Sequence, residues 1–94
     1  GPNDGRPPIP SDRMTRFASL PKHLAHRLMD EVEATGIPVM MLRGEGEVNP
    51  DGVRDYDLLV PATVEDNVID VHGPTRDRLL AEADAWRRSF TART

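Results

Sequence analysis

Ninety-four residues, no cysteine and a formal charge of −4 set the first limits. A chain of this length supports one domain with a modest core. Without cysteine it has neither a disulfide framework nor a thiolate metal site, and no apolar run approaches the ~18 residues of a transmembrane helix. No signal peptide is visible, so a soluble, cytoplasmic protein is expected.

The charge is unevenly spread. Residues 1–29 carry five basic and two acidic side chains, residues 30–72 two basic and eleven acidic, and residues 73–94 five basic and three acidic. An acidic middle argues against a sheet that lies on phosphates, although the basic ends can still meet an anion. Eleven of the 12 basic residues are arginine, a usage typical of GC-rich genomes.

Residues 1–15 are rich in Pro, Gly and Asp and lack periodicity. They read as a disordered leader, with Gly1-Pro2 resembling a tag remnant and Pro7–Pro10 suited to polyproline II. Residues 16–94 then form a single domain. Ser19 reads as an N-cap and Pro21 as a first-turn residue of a helix. Its apolar stripe is Leu24, Ala25, Leu28, Met29 and Val32, and Gly36 is its left-handed terminator.

Asn49-Pro50-Asp51-Gly52 fits a type I turn closed by a left-handed Gly52, so residues 37–48 and 53–60 read as the two strands of a hairpin. The Asn49 side chain is expected to bond forward to the backbone. Counting outward from an Asn49–Val53 pair sets Val48 against Arg54, Glu47 against Asp55, Gly46 against Tyr56, Glu45 against Asp57 and Gly44 against Leu58. Alternation then places Met40, Leu42, Tyr56, Leu58 and Val60 on an apolar face. Glu45, Glu47, Asp55 and Asp57, with Met41, Arg43, Val53 and Leu59, fall on an acidic one.

Residues 67–72, with Val68, Ile69 and Val71, read as a third strand ending at His72 beside a turn, where that imidazole would bond local backbone. Gly73-Pro74-Thr75 opens a last helix, whose stripe is Leu79, Ala83, Trp86 and Phe90 with Leu80 on its edge. The expected fold is therefore α+β in the order α-β-β-β-α: an antiparallel three-stranded sheet with both helices on one face.

Several groupings bear on function. Glu45–Asp57 and Glu47–Asp55 would be like-charge cross-strand pairs, which weaken a sheet unless the surface meets a cation or a basic partner. The candidate partner-binding residues are accordingly Glu45, Glu47, Asp55 and Asp57, with Met41, Arg43 and Leu59. His23, His26 and Asp30 have helical spacing suited to zinc but lack a further strong ligand. No motif surrounds any Ser or Thr, and no cofactor is expected.

The segment Arg43-Gly44-Glu45 followed by Arg54-Asp55-Tyr56-Asp57-Leu58-Leu59-Val60 resembles the strand pair of minimal nucleotidyltransferases, over about one-fifth of the chain. The resemblance would make Asp55 and Asp57 magnesium ligands, with Asp70 as the third carboxylate. The family's Gly-Ser turn is missing, with Arg43-Gly44 near its place, and so is the helix before the third carboxylate. The order α-β-β-β-α is also similar to that of double-stranded-RNA-binding domains and HicA-like toxins. By that analogy Arg76, Arg78, Arg87 and Arg88 would meet nucleic acid.

The reading best supported by these residues is a small, non-enzymatic protein-binding and regulatory module of phage, toxin–antitoxin or accessory-locus type. It would present an acidic sheet face to a basic protein partner. A free sheet edge also admits a homo-oligomer. No membrane contact is expected.

Overall fold

The computed structural model describes residues 13–92. The leader expected over residues 1–15, with its polyproline segment, lies outside the described residues up to residue 12. Met14 and Thr15 instead begin a strand. The elements are β1 (Met14–Leu20), α1 (Lys22–Glu33), β2 (Met40–Val48), β3 (Arg54–Pro61) and α2 (Glu65–Ala92), with a 3₁₀ turn at Ala62–Val64 before the last helix. The fold is α+β, with one antiparallel sheet of three strands and two helices, as expected. The order β-α-β-β-α and the strand order β1-β3-β2 are not those of the sequence reading. The likeness in element order to double-stranded-RNA-binding domains and HicA-like toxins disappears with it.

Two exchanges explain the difference. Ser19 is a strand residue paired with Asp57, not a helix cap, and Pro21 itself is the N-cap of α1. The segment read as a third strand is the first part of α2, a helix of 28 residues that includes Pro74. Val68, Ile69 and Val71 are β-formers by propensity. However, buried Val68 and His72 sit at i and i+4 and continue through Leu79 and Ala83, a single helical stripe. Tertiary burial of that stripe overrides local propensity. Pro74 lacks an N–H and crowds the preceding turn, yet its ring lies on the exposed side of α2, and the packing on either side holds the helix through it. Glu65 and Asp66 occupy the first turn, where carboxylates favour the positive end of the helix.

The core is one cluster. Phe17, Ala18 and Leu20 of β1 and Leu58 and Val60 of β3 meet Leu24, Ala25, Leu28 and Val32 of α1 and Val68, Leu79 and Ala83 of α2. The stripe of α1 is buried as its spacing predicts, and Gly36 takes φ +82° after it. A bulge at Phe17 puts Arg16 opposite Leu59 and Ala18 opposite Leu58, so Phe17 and Ala18 are both buried although adjacent in sequence.

The turn at 49–52 forms as expected. The Gly52 amide donates to the Asn49 carbonyl at 2.8 Å, Gly52 has φ +84°, and the Asn49 amide donates to the Val53 carbonyl at 2.9 Å. Val48 faces Arg54, also as expected, but beyond that point the register slips. Arg43 faces Tyr56, Leu42 faces Asp57, Met41 faces Leu58 and Met40 faces Leu59. Four β2 residues, 44–47, therefore stand opposite Asp55 alone. Slipping by an odd number of residues exchanges the faces of the strand. Met41 joins Ile37 and Val39 against the core, whereas Leu42 is 46% exposed. Gly44, Glu45, Gly46 and Glu47 offer no apolar side chain that would hold the counted register. Ile37, Val39 and Met41 form a longer alternating apolar set than Met40 and Leu42, and that set wins the core. Arg54 Nη1 donates to the Glu45 carbonyl at 3.4 Å and to the Gly46 carbonyl, tying down the displaced segment.

Candidate protein-binding surface

Both helices pack on the face that carries Leu58 and Val60. On the opposite face, pairing across the three strands lays out two rows. One runs Arg16, Leu59, Met40 and the other Ser19, Asp57, Leu42. Among the described residues no helix covers these rows. Beside them Arg16, Ser19, Leu42, Arg43, Gly44, Glu45, Gly46, Asp55 and Asp57 border a shallow depression of about 410 Å³. The surface is mixed, with Leu59 and Asp57 on the central strand, Met40 and Leu42 on the edge strand β2, and charges of both signs beside them.

Of the four carboxylates expected on one acidic face, Glu45, Asp55 and Asp57 border this depression, and the two aspartates are engaged within the fold. Asp57 accepts a hydrogen bond from Ser19 Oγ at 2.5 Å. Asp55 is engaged by Arg87, whose Nη2 donates to both carboxylate oxygens at 3.0 and 2.9 Å. Asn49 completes that cluster: its Nδ2 donates to Asp55 at 2.6 Å while its Oδ1 accepts from Arg87 Nε at 3.0 Å. Asn49 is only 7% exposed, so its amide is spent on this clasp between hairpin and α2 and not on the turn backbone. The neighbouring Asp84 also accepts from Arg87. Glu45, Glu47 and Arg43 are exposed on β2 and have no ion-pair partner among the described residues. The like-charge pairs Glu45–Asp57 and Glu47–Asp55 do not form, because the register shift moves Tyr56 and Asp57 opposite Arg43 and Leu42.

Of the apolar residues assigned to the acidic face, only Leu59 lies there. Met41 packs at the edge of the core. Val53 lines a small hollow with Lys22, His23, His26 and Asp51 on the α1 side. Gly44 is not covered by Leu58 as counted. It is buried against the Asp55 carbonyl and the Asp57 carboxylate, 3.0 and 3.2 Å from where a Cβ would sit.

The remaining candidates are also separated. Asp70 is exposed on α2, not on a strand beside Asp55 and Asp57, and Asp55 is held by Arg87. The residues present thus do not assemble the three-carboxylate set that a nucleotidyltransferase-like magnesium site requires, and among the described residues no group of three His, Asp or Glu is placed to hold a metal ion. His23 meets the Trp86 ring edge-on at 5.2 Å, and Trp86 stacks in the same manner on Phe90. Of the four arginines considered for nucleic acid, Arg87 is committed to Asp55. Arg76 lies over the Phe17 ring at 5.1 Å with its Nε on Asp77. Arg78 and Arg88 are exposed.

His72 does not end a strand. It is 3% exposed in the middle of α2. Thr35 Oγ1 gives its one hydrogen to the Val32 carbonyl at 2.8 Å, so the contact of 3.3 Å to His72 Nε2 is a bond donated by the imidazole. Nδ1 is buried without a hydrogen-bond partner, with Glu31 Oε1 3.7 Å away. The sequence gives no signal for this contact or for the Asn49–Asp55–Arg87 clasp, since Arg87 lies 38 residues from Asn49. No helix of the described residues is long and apolar enough to cross a membrane. Comparison with known proteins returned no matching family model, no similar curated protein and no similar solved structure.

Proposed function

We propose that this chain is a non-enzymatic protein-binding module, regulatory in role, that engages its partner through the sheet face turned away from the helices. The observation that carries this reading is the exposure of Leu42, 46%, in a row with Asp57 and next to Leu59 and Met40. Exposed apolar side chains interleaved with charge suit a protein-binding patch. The exposed Glu45 and Glu47 at one side favour a partner whose apolar patch is bordered by basic groups. The acidic contribution comes from these two β2 residues; Asp55 and Asp57 are already engaged within the fold.

The test is quantitative co-purification from cells that make the protein. Leu42→Asp is expected to reduce the recovered partner at least tenfold, the loss of an exposed apolar contact, while the circular dichroism spectrum and melting temperature stay unchanged. Val71→Asp, at a site 55% exposed on α2, is expected to leave recovery intact. The reverse pattern would place the interface on the helical side and overturn the proposal.

A further inference from the structure

We infer that His72 is a proton-operated latch between the helices: a second proton on its buried ring bonds Nδ1 to Glu31 and ties α2 to α1. His72 is 3% exposed in the middle of α2, and its two ring nitrogens meet α1 with unequal success. Nε2 donates to Thr35 Oγ1 at 3.3 Å, because that hydroxyl has given its own hydrogen to the Val32 carbonyl. Nδ1 has no hydrogen-bond partner, and Glu31 Oε1 stands 3.7 Å from it.

The facing groups favour the charged ring. A lone pair on Nδ1 points toward the lone pairs of a carboxylate oxygen, so the neutral ring leaves a buried acceptor unsatisfied beside a negative charge. A proton on Nδ1 turns it into a donor, and Glu31 becomes both its acceptor and its counter-charge. Glu31 is already directed at α2, since its Oε1 accepts from Thr75 Oγ1 at 2.8 Å, one turn along the helix from His72. Burial opposes a charge on the ring. Glu31 is 43% exposed, however, so the cost of desolvation falls mainly on one partner. The other charged groups beside Glu31 are Arg27 and Asp30 of α1 and Arg78 of α2; Arg27 is paired with Glu82 at 3.0 Å. Among the described residues no further side chain is bonded to or paired with His72 or Glu31. The folded chain therefore holds the second proton more tightly than the unfolded chain does. The latch adds stability at acidic pH, and that contribution is lost as pH rises.

Nitrogen NMR of the histidine rings from roughly pH 8 to pH 5, the range in which histidine charges, tests it. His72 is expected to become doubly protonated while the chain is folded. Glu31→Gln, at an exposed site, should weaken proton binding at His72 at least tenfold and leave exposed His23 and His26 unmoved. In urea denaturation the wild type should gain stability over Glu31→Gln as the pH is lowered. A His72 ring that stays neutral to pH 5 in the folded wild type overturns the inference. So does a folded Glu31→Gln variant in which His72 titrates as in the wild type. The latch lies in the helical layer, so its failure leaves the proposed partner surface on the other sheet face untouched.

Discussion

β1 and β2 flank the same central strand, yet they are held by different forces. β1 sends Phe17, Ala18 and Leu20 into the core and pairs with β3 across a single bulge. β2 has one buried residue, Gly44, brings Met41 only to the margin of the core, and slips out of register over residues 44–47. Apolar burial fixes the first half of the sheet. Ladder bonds, the 49–52 turn and the clasp of Arg87 on Asp55 and Asn49 position the second. Where burial does not dictate register, a strand keeps polar side chains exposed, as Arg43, Glu45 and Glu47 are here.

The contrast can be broken from either side. Leu58→Ala removes a fully buried side chain from the central strand and is expected to cost about 2–5 kcal/mol in chemical denaturation. A cost under ~1 kcal/mol would mean that the β1–β3 half is not the seat of stability. Arg87→Ala leaves Asp55 and buried Asn49 without their cation and should cost about 1–3 kcal/mol. Here the expected signature is local: amide exchange should accelerate through residues 44–55 before it does so in β1. Uniform acceleration would show that the two halves open as one unit.

The smallest effect sharpens the contrast within β2. A methyl group at Gly44 meets the Asp55 backbone carbonyl at 3.0 Å, while at Gly46 nothing lies within 4 Å. Gly44→Ala should therefore cost about 1–2 kcal/mol, and Gly46→Ala should stay within ~0.5 kcal/mol of wild type. Equal costs would place the close backbone approach elsewhere along the strand.

Much of this architecture is legible in local sequence. The spacing of Leu24, Ala25, Leu28 and Val32 defines the buried side of α1, and Asn-Pro-Asp-Gly specifies the turn and its first pairs. Both signals act over a few residues, so near neighbours suffice to read them. Ser19-Leu20-Pro21 and Val68–Val71 each satisfy two local rules. As a cap and a strand they agree with propensity; as a strand and a helix they agree with burial, and burial of a continuous stripe outweighs a few tenths of a kcal/mol of preference per residue. β2 poses the same choice twice over, because Met40 and Leu42 on one parity compete with Ile37, Val39 and Met41 on the other.

The sequence by itself determined the class, the first helix, the turn and the existence of an open sheet face. Only the tertiary structure decided which strands make the sheet, which side of β2 meets the core, and which carboxylates are free. Those outcomes depend on pairs distant in the chain, Ser19 with Asp57, Met41 with Leu58 and Arg87 with Asp55. Their energies come from burial and neutralisation that arise only once the chain has closed on itself.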